Sequence, residues 1–158
     1  MSSAMAPHQV LTLMVVGVCM FMQVQGARCP LGFVRHKRSC YWFSITKGSF
    51  SEARSMCRYL KSDLAKVTSK DENDFIRHFA LVRGKAPLYF LGGSDVRQTG
   101  RWSWNGEEQR MIFTNWAPGE PNNHLTERCL VLWKSRHYQW ADYHCHAVIN
   151  YVCECPVL

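Results

Sequence analysis

The sequence predicts an α+β fold, with two helices early, short strands and loops after them, and disulfides stapling the whole. Three observations carry that expectation. Ser49-Phe50-Ser51-Glu52 and Ser69-Lys70-Asp71-Glu72 each set a Ser three residues ahead of a Glu, the reciprocal arrangement that satisfies the free N–H groups of a helix start. After Ala86 helical periodicity stops, and short apolar or aromatic runs alternate with turn residues. Beyond Gly26 the chain keeps Cys29, Cys40, Cys57, Cys129, Cys145, Cys153 and Cys155, the usage of a domain folded in an oxidising compartment.

Residues 1–26 contain no Lys, Arg, Asp or Glu, and Val10–Met22 is an apolar-rich run. The run is short for a transmembrane helix and suits the apolar region of a secretory signal peptide, with cleavage after Gly26. Residues 27–158 then form one secreted domain, a length that fits a single core. Next, Cys29-Pro30-Leu31-Gly32-Phe33 and Cys40-Tyr41-Trp42-Phe43 read as a short antiparallel pair closed by a local bridge. The first capped helix runs through Leu60, with Ala53, Met56, Cys57 and Leu60 at helical spacing, so Cys57 faces the core. The second runs to about Val82, with Phe75, Ile76, Phe79 and Val82 on one face.

Leu88–Gly93, Trp102 to Trp104, Leu130–Trp133, Tyr138–Trp140 and Tyr151–Cys153 are strand candidates. Between Gly106 and Cys129 strand signals thin out while Pro118, Gly119, Pro121, Asn122 and Asn123 crowd together. So long a loop inside a compact domain is usually functional or disordered. The tryptophan within it and the cysteine just beyond favour function. The tryptophans Trp102, Trp104, Trp116, Trp133 and Trp140 are expected mainly in the core.

The chemistry that gathers in this loop is oxygen-rich. Trp116–Asn122 supplies Glu120 and Asn122 around Pro121, Glu127 precedes Cys129, and Asp142 precedes Cys145. Carboxylates, amides, carbonyls and water are what Ca²⁺ takes as ligands. Other chemistries find little support. His144-Cys145-His146 with His137 hints at zinc, but a cysteine committed to a disulfide is no ligand. Phosphate loops, nucleophile elbows and His-Glu-x-x-His motifs are absent, and no enzyme is expected. The chain has no Asn-x-Ser/Thr acceptor.

The formal net charge is +7, all of it beyond the leader. Such a charge favours anionic glycans, bacterial envelopes or other acidic surfaces, although a solvated surface without a single partner is the plainer reading. Arg35-His36-Lys37-Arg38 is too short for a nucleic-acid patch. Seven cysteines is an odd number, so one thiol is free or bridged to another chain, and spacing alone does not fix the connectivity.

Several motifs now carry a resemblance. Phe90-Leu91-Gly92-Gly93 resembles the Trp-Ile-Gly-Leu core strand of C-type lectin-like domains, and Gly100–Gly106 their next strand and turn. Asn115–Asn123 is similar to their long-loop sugar motif and Trp140-Ala141-Asp142 to their Trp-Asn-Asp motif. The resemblance runs from Cys29 to Cys155. It implies an α+β domain of two helices, small antiparallel sheets and a long Ca²⁺-binding loop. It further implies bridges Cys57 to Cys153, Cys129 to Cys145 and, as in long-form domains, Cys29 to Cys40. Cys155 is then left over, either as a free thiol or as the bridge of a disulfide-linked homodimer; a Cys57 to Cys155 bridge is a minor alternative.

By the same resemblance Glu120, Asn122, Glu127 and Asp142 hold Ca²⁺ and the two hydroxyls of a sugar together. Pro121 is expected cis. The Glu-Pro-Asn order matches the mannose-type preference for equatorial 3- and 4-hydroxyls. Ala141 departs from the pattern, because sugar-binding relatives carry Asn there, and a weaker Ca²⁺ site of the extracellular class is expected, about 10⁻⁴–10⁻³ M or weaker. The loop from Glu120 to Glu127 is one residue tighter than in typical mannose binders. An auxiliary Ca²⁺ site is poorly supplied, since Thr99 and Arg128 accompany Asp95 where acids are usual. The implied function is a secreted lectin for mannose-type glycans of microbial or other surfaces, in innate defence. The rival is a lectin-like matrix or protein-interaction module, as in perlucin-like proteins, with weakened or lost sugar binding.

Overall fold

The two ends of the domain lie side by side. In the computed structural model, which describes residues 28–158, Arg28 N–H donates to the Leu158 carbonyl and Leu158 N–H to that of Arg28, both at 3.1 Å. The expected signal peptide, residues 1–26, lies outside the described residues. Among the described residues no helix is long and apolar enough to cross a membrane.

Helix α1 spans Phe50–Tyr59 and α2 spans Lys70–Val82. At α1 the Glu52 carboxylate accepts from the Ser49 N–H at 2.8 Å, as the sequence pattern predicts. At α2 the Glu72 N–H donates to the Ser69 hydroxyl at 3.3 Å, but the Glu72 carboxylate reaches one residue further back, to the Thr68 N–H at 2.8 Å. Helix α1 stops one residue before the expected Leu60, where Lys61 turns left-handed (φ 56°). Two residues expected on buried faces are exposed, Met56 at 42% and Val82 at 61%, since each sits at the edge of its apolar stripe.

The strands are β1 (Val34–His36), β2 (Ser39–Phe43), β3 (Asp63–Leu64), β4 (Leu88–Ser94), β5 (Ser103–Trp104), β6 (Cys129–Trp133), β7 (Gln139–Tyr143) and β8 (Asn150–Pro156). The first hairpin starts at Val34 rather than within Cys29–Phe33. A 3₁₀ turn at Lys134–Arg136 interrupts the region expected to hold only strands and loops. The small antiparallel sheets merge into one path, β1-β2-β8-β4-β6-β7, with β3 on β8 and β5 on β4. The junction is β8, antiparallel to β2 and parallel to β4.

Alternation along the strands divides the core in two. Leu91, Leu130, Trp140 and Val152 face α2 and the long loop, with Tyr41 and Ile76. Phe90, Val131, Ala141 and Tyr151 face α1, with Cys57 and Leu64. Cys57–Cys153 ties α1 to β8 across 96 residues, a closure the chain-entropy picture credits with about 4–5 kcal/mol. Cys29–Cys40 holds the first hairpin and Cys129–Cys145 the root of β6.

The long loop is seated from both ends. At Gly92 any side chain would collide with the Asn105 amide, which fills the place a Cβ would take. In return the Asn105 N–H donates to the Gly92 carbonyl at 2.7 Å and its amide to that of Leu64 at 2.8 Å. Further on, Trp140 N–H donates to Asn115 and Ala117 N–H to Trp140, at 3.0 and 2.8 Å. Trp116 meets Trp102 and Trp140 edge-on at 4.8 and 5.8 Å. Trp140 Nε1 donates to Asn73 of α2 at 3.0 Å, so the loop, β7 and α2 share one anchor.

Candidate metal and ligand site

Beyond that anchor the loop turns through Gly119 (φ 88°) and the Glu120–Pro121 peptide, which is cis. Glu120 and Asn122 come out side by side, the Asn122 amide donating to Glu120 Oε1 at 3.0 Å. Asp142, buried at 2% exposure, accepts from the Asn122 N–H at 3.0 Å and the Asn123 N–H at 2.8 Å. Three of the four sequence-predicted residues are thereby linked directly. Glu127 is held by its own turn, its N–H donating to the Asn123 carbonyl at 2.8 Å. Its carboxylate lies 3.4 Å from His144 Nε2, while His144 Nδ1 contacts the Thr126 carbonyl at 3.1 Å.

The electrostatics mark the place as short of positive charge. The Glu120 carboxyl is pushed up to about 7, first by burial, then by Asp142 and by the Glu127 charge; Arg136 acts the other way. Carboxylates crowded in this way invite either a proton or a cation. No trio of His, Cys, Asp or Glu among the described residues is arranged to hold a metal unaided. The Asn122 amide, backbone carbonyls and water therefore have to complete any Ca²⁺ shell. Ala141, at 3% exposure, packs into the core on the α1 side and brings no oxygen.

At the expected auxiliary position a side-chain cation is already present. Asp95 is fully buried, and Arg128 Nε donates to its Oδ1 at 3.1 Å and Nη2 to its carbonyl at 2.6 Å. The same Nη2 reaches Thr99 Oγ1 at 3.3 Å, and His124 Nδ1 stands 3.6 Å from Asp95. The zinc alternative has no ligand set, since Cys145 is in a disulfide. Cys155 is a free thiol, 6% exposed and opposite Cys40 in the β2–β8 pairing. Burial, then the charge of Glu154, pushes its pKa up.

Sequence reasoning missed the Asn123 N–H, His144 and Arg136. The first is a backbone group with no side-chain signature. His144, weighed there only for zinc, directly follows the strand that carries Asp142 and meets Glu127 across the fold, and Arg136 comes from the turn before that strand.

The architecture is thus a disulfide-stapled α+β domain with a proline-turned, carboxylate-rich loop beside the edge strand β7. Residues 46–155 match the profile of the Lectin C-type domain, and the chain belongs to that family. It is 49% identical to perlucin of Haliotis laevigata over 128 residues, 80% of this chain and 82% of that protein. It is 29% identical to a perlucin-like protein of Mytilus galloprovincialis over 79% of this chain and 81% of the other. Among solved structures, the mouse scavenger receptor C-type lectin carbohydrate-recognition domain superposes with a TM-score of 0.74 at 28% identity, covering 82% of this chain and 98% of that one. A calcium-independent type II antifreeze protein shares the fold (TM-score 0.75, 24% identity, 85% and 99% covered).

Proposed function

We propose that this protein is a Ca²⁺-dependent lectin with mannose-type preference, secreted after loss of residues 1–26 and recognising microbial or other surface glycans in innate defence. The observation that carries the reading is the crowding of Glu120, Asp142 and Glu127, which raises the Glu120 carboxyl to about 7 in a loop that also presents Asn122. Glu120, Asn122, Glu127 and Asp142 would hold the cation, which when bound supplies a hard Lewis-acid contact for neighbouring sugar hydroxyls. Glu120 and Asn122 then accept from and donate to those hydroxyls. Asp142, fixed by two backbone N–H groups, orients the loop.

Calorimetric titration with mannose, with millimolar Ca²⁺ and again with chelator, tests this. Binding that appears only with Ca²⁺ supports the reading; binding unchanged by chelator, or none at millimolar Ca²⁺, removes it. A lectin-like matrix or protein-interaction module is the second reading, favoured by Ala141 and by the likeness to perlucin. A homodimer through Cys155 would require β8 to open, because the sulfur is buried. Non-reducing electrophoresis showing monomer alone removes the dimer.

A further inference from the structure

We propose that the pocket between the β4–β5 turn and the turn after β5 is a second ligand site, independent of Ca²⁺, that takes an acidic sugar unit by its sulfate, phosphate or carboxylate group. The inference goes beyond the Ca²⁺ reading above and stands without it. The pocket encloses about 350 Å³, within the range of small-molecule sites. Arg97, Gln98, Arg101, Ser103, Glu107 and Glu108 line it, and it shares no residue with the set Glu120, Asn122, Glu127 and Asp142. Arg97 Nη1 donates to the Gly106 carbonyl at 2.6 Å and Arg101 Nη2 to that of Glu108 at 2.9 Å. The two anchors are two residues apart, so one turn fixes both guanidinium groups. Neither arginine is in an ion pair among the described residues. Arg97 keeps Nε and Nη2, the edge that grips an oxyanion through two parallel bonds.

The buried member of the lining is Ser103. It is 5% exposed, and its hydroxyl makes no hydrogen bond among the described residues. Its β5 neighbour Trp104 enters the core, so strand alternation turns Ser103 the other way, to the pocket that it lines. A buried hydroxyl without a protein partner is costly until something else bonds to it. Charge around the pocket is uneven as well. Both Glu107 oxygens accept from Lys66 Nζ, at 2.8 and 2.7 Å, which leaves two guanidinium charges facing Glu108 alone. The cationic side fits an oxyanion, while the Glu108 carboxylate and the Gln98 amide fit the hydroxyls beside it. Both walls are set in advance. Gly100 N–H donates to Asp95 Oδ2 at 2.8 Å, Gln98 N–H to the Asp95 carbonyl at 3.1 Å and Arg101 N–H to that of Gln98 at 2.9 Å. On the other side Glu107 N–H donates to the Trp104 carbonyl at 2.7 Å, so little ordering cost remains on binding.

The test is calorimetric titration with glucose 6-sulfate, glucose 6-phosphate, glucuronate, glucose and inorganic sulfate, all in chelator so that the Glu120 site is silent. Expected is that one acidic sugar binds about tenfold tighter than glucose and than inorganic sulfate. The arm that wins identifies the oxyanion. Arg97→Lys keeps the charge but loses the fork and should weaken that ligand about tenfold. Ser103→Ala removes a hydroxyl that has no protein partner, so its melting temperature should equal or exceed that of wild type while affinity for the acidic sugar falls. This second variant keeps the test decisive if Arg97→Lys loosens the turn. Acidic sugars bound no better than glucose, inorganic sulfate bound as tightly as the sugar sulfate, or affinity unchanged in both variants overturns the site. Neutral glucose bound only when Ca²⁺ is restored reports on the Glu120 site alone, so either reading can fail without the other.

Discussion

Ala141 is the residue on which the strength of the site turns. It stands beside Asp142 on β7 and contributes a methyl group to the core on the α1 side, where the proposed Ca²⁺ site would need an amide to gain a further ligand. Ala141→Asn is expected to tighten Ca²⁺ about tenfold, worth about 1.4 kcal/mol, in a calorimetric titration. A lower melting temperature without tighter Ca²⁺ means that the amide is trapped unpaired in the core and refutes the expectation. Glu154 gives a different prediction. Burial, foremost, raises its carboxyl, while Ser39 Oγ and the Lys66 N–H, donating at 2.7 and 2.9 Å, pull the other way. With its folded pKa above the unfolded value, the native state binds more protons between the two, so stability falls as pH rises through that window. Melting temperatures from pH 4 to 8 should show this decline in wild type relative to Glu154→Gln; parallel curves would contradict it.

The long loop, residues 105–128, has no helix or strand of its own and depends on what fastens it. Arg128 is its second fastening after Trp116, joining the loop's last turn to the end of β4 through Asp95. Arg128→Gln leaves the fully buried Asp95 carboxylate short of its charged donor and should cost about 1.5–3 kcal/mol in chemical denaturation. Because that guanidinium fills the auxiliary position, calorimetry should count one Ca²⁺ per chain in wild type; two would contradict the assignment. The elements themselves differ in how legible they were. The two helices declare themselves through Ser49 with Glu52 and Ser69 with Glu72, local patterns that propensity and capping decide. Strand β3 spans only Asp63–Leu64 and exists because β8 lies beside it, so nothing local announces it. The turn at His137 and Tyr138 carries neither Gly nor Asn, and its left-handed backbone is imposed from α2 by Arg77.

At the scale of the molecule, β8 explains both what the sequence reveals and what it conceals. Its Cys153 closes onto α1 and its Val152 and Tyr151 enter opposite cores, so one strand welds what reads as separate small sheets. The grouping of Glu120 and Asn122 with Asp142 was legible because these residues sit in compact motifs, and their role as ligands, with Glu127, is the proposal made above. The parts played by Arg136 and His144 were not legible: His144 follows Asp142 by two residues, but its contact with Glu127 is made only across the fold. The same closure determines the fate of the leftover cysteine. Cys155 lies between the paired termini, where Val157 N–H donates to Arg38 at 2.9 Å and Arg28 pairs with Leu158, and its pKa is raised above the ordinary thiol value. A thiolate is the reactive species, so burial and the raised pKa both oppose reaction in the native protein. A colorimetric thiol reagent at neutral pH should therefore find almost no reactive thiol in the folded chain and one per residue 27–158 domain in denaturant. Fast labelling without denaturant would show that the β2–β8 edge opens and would restore Cys155 as a route to a dimer.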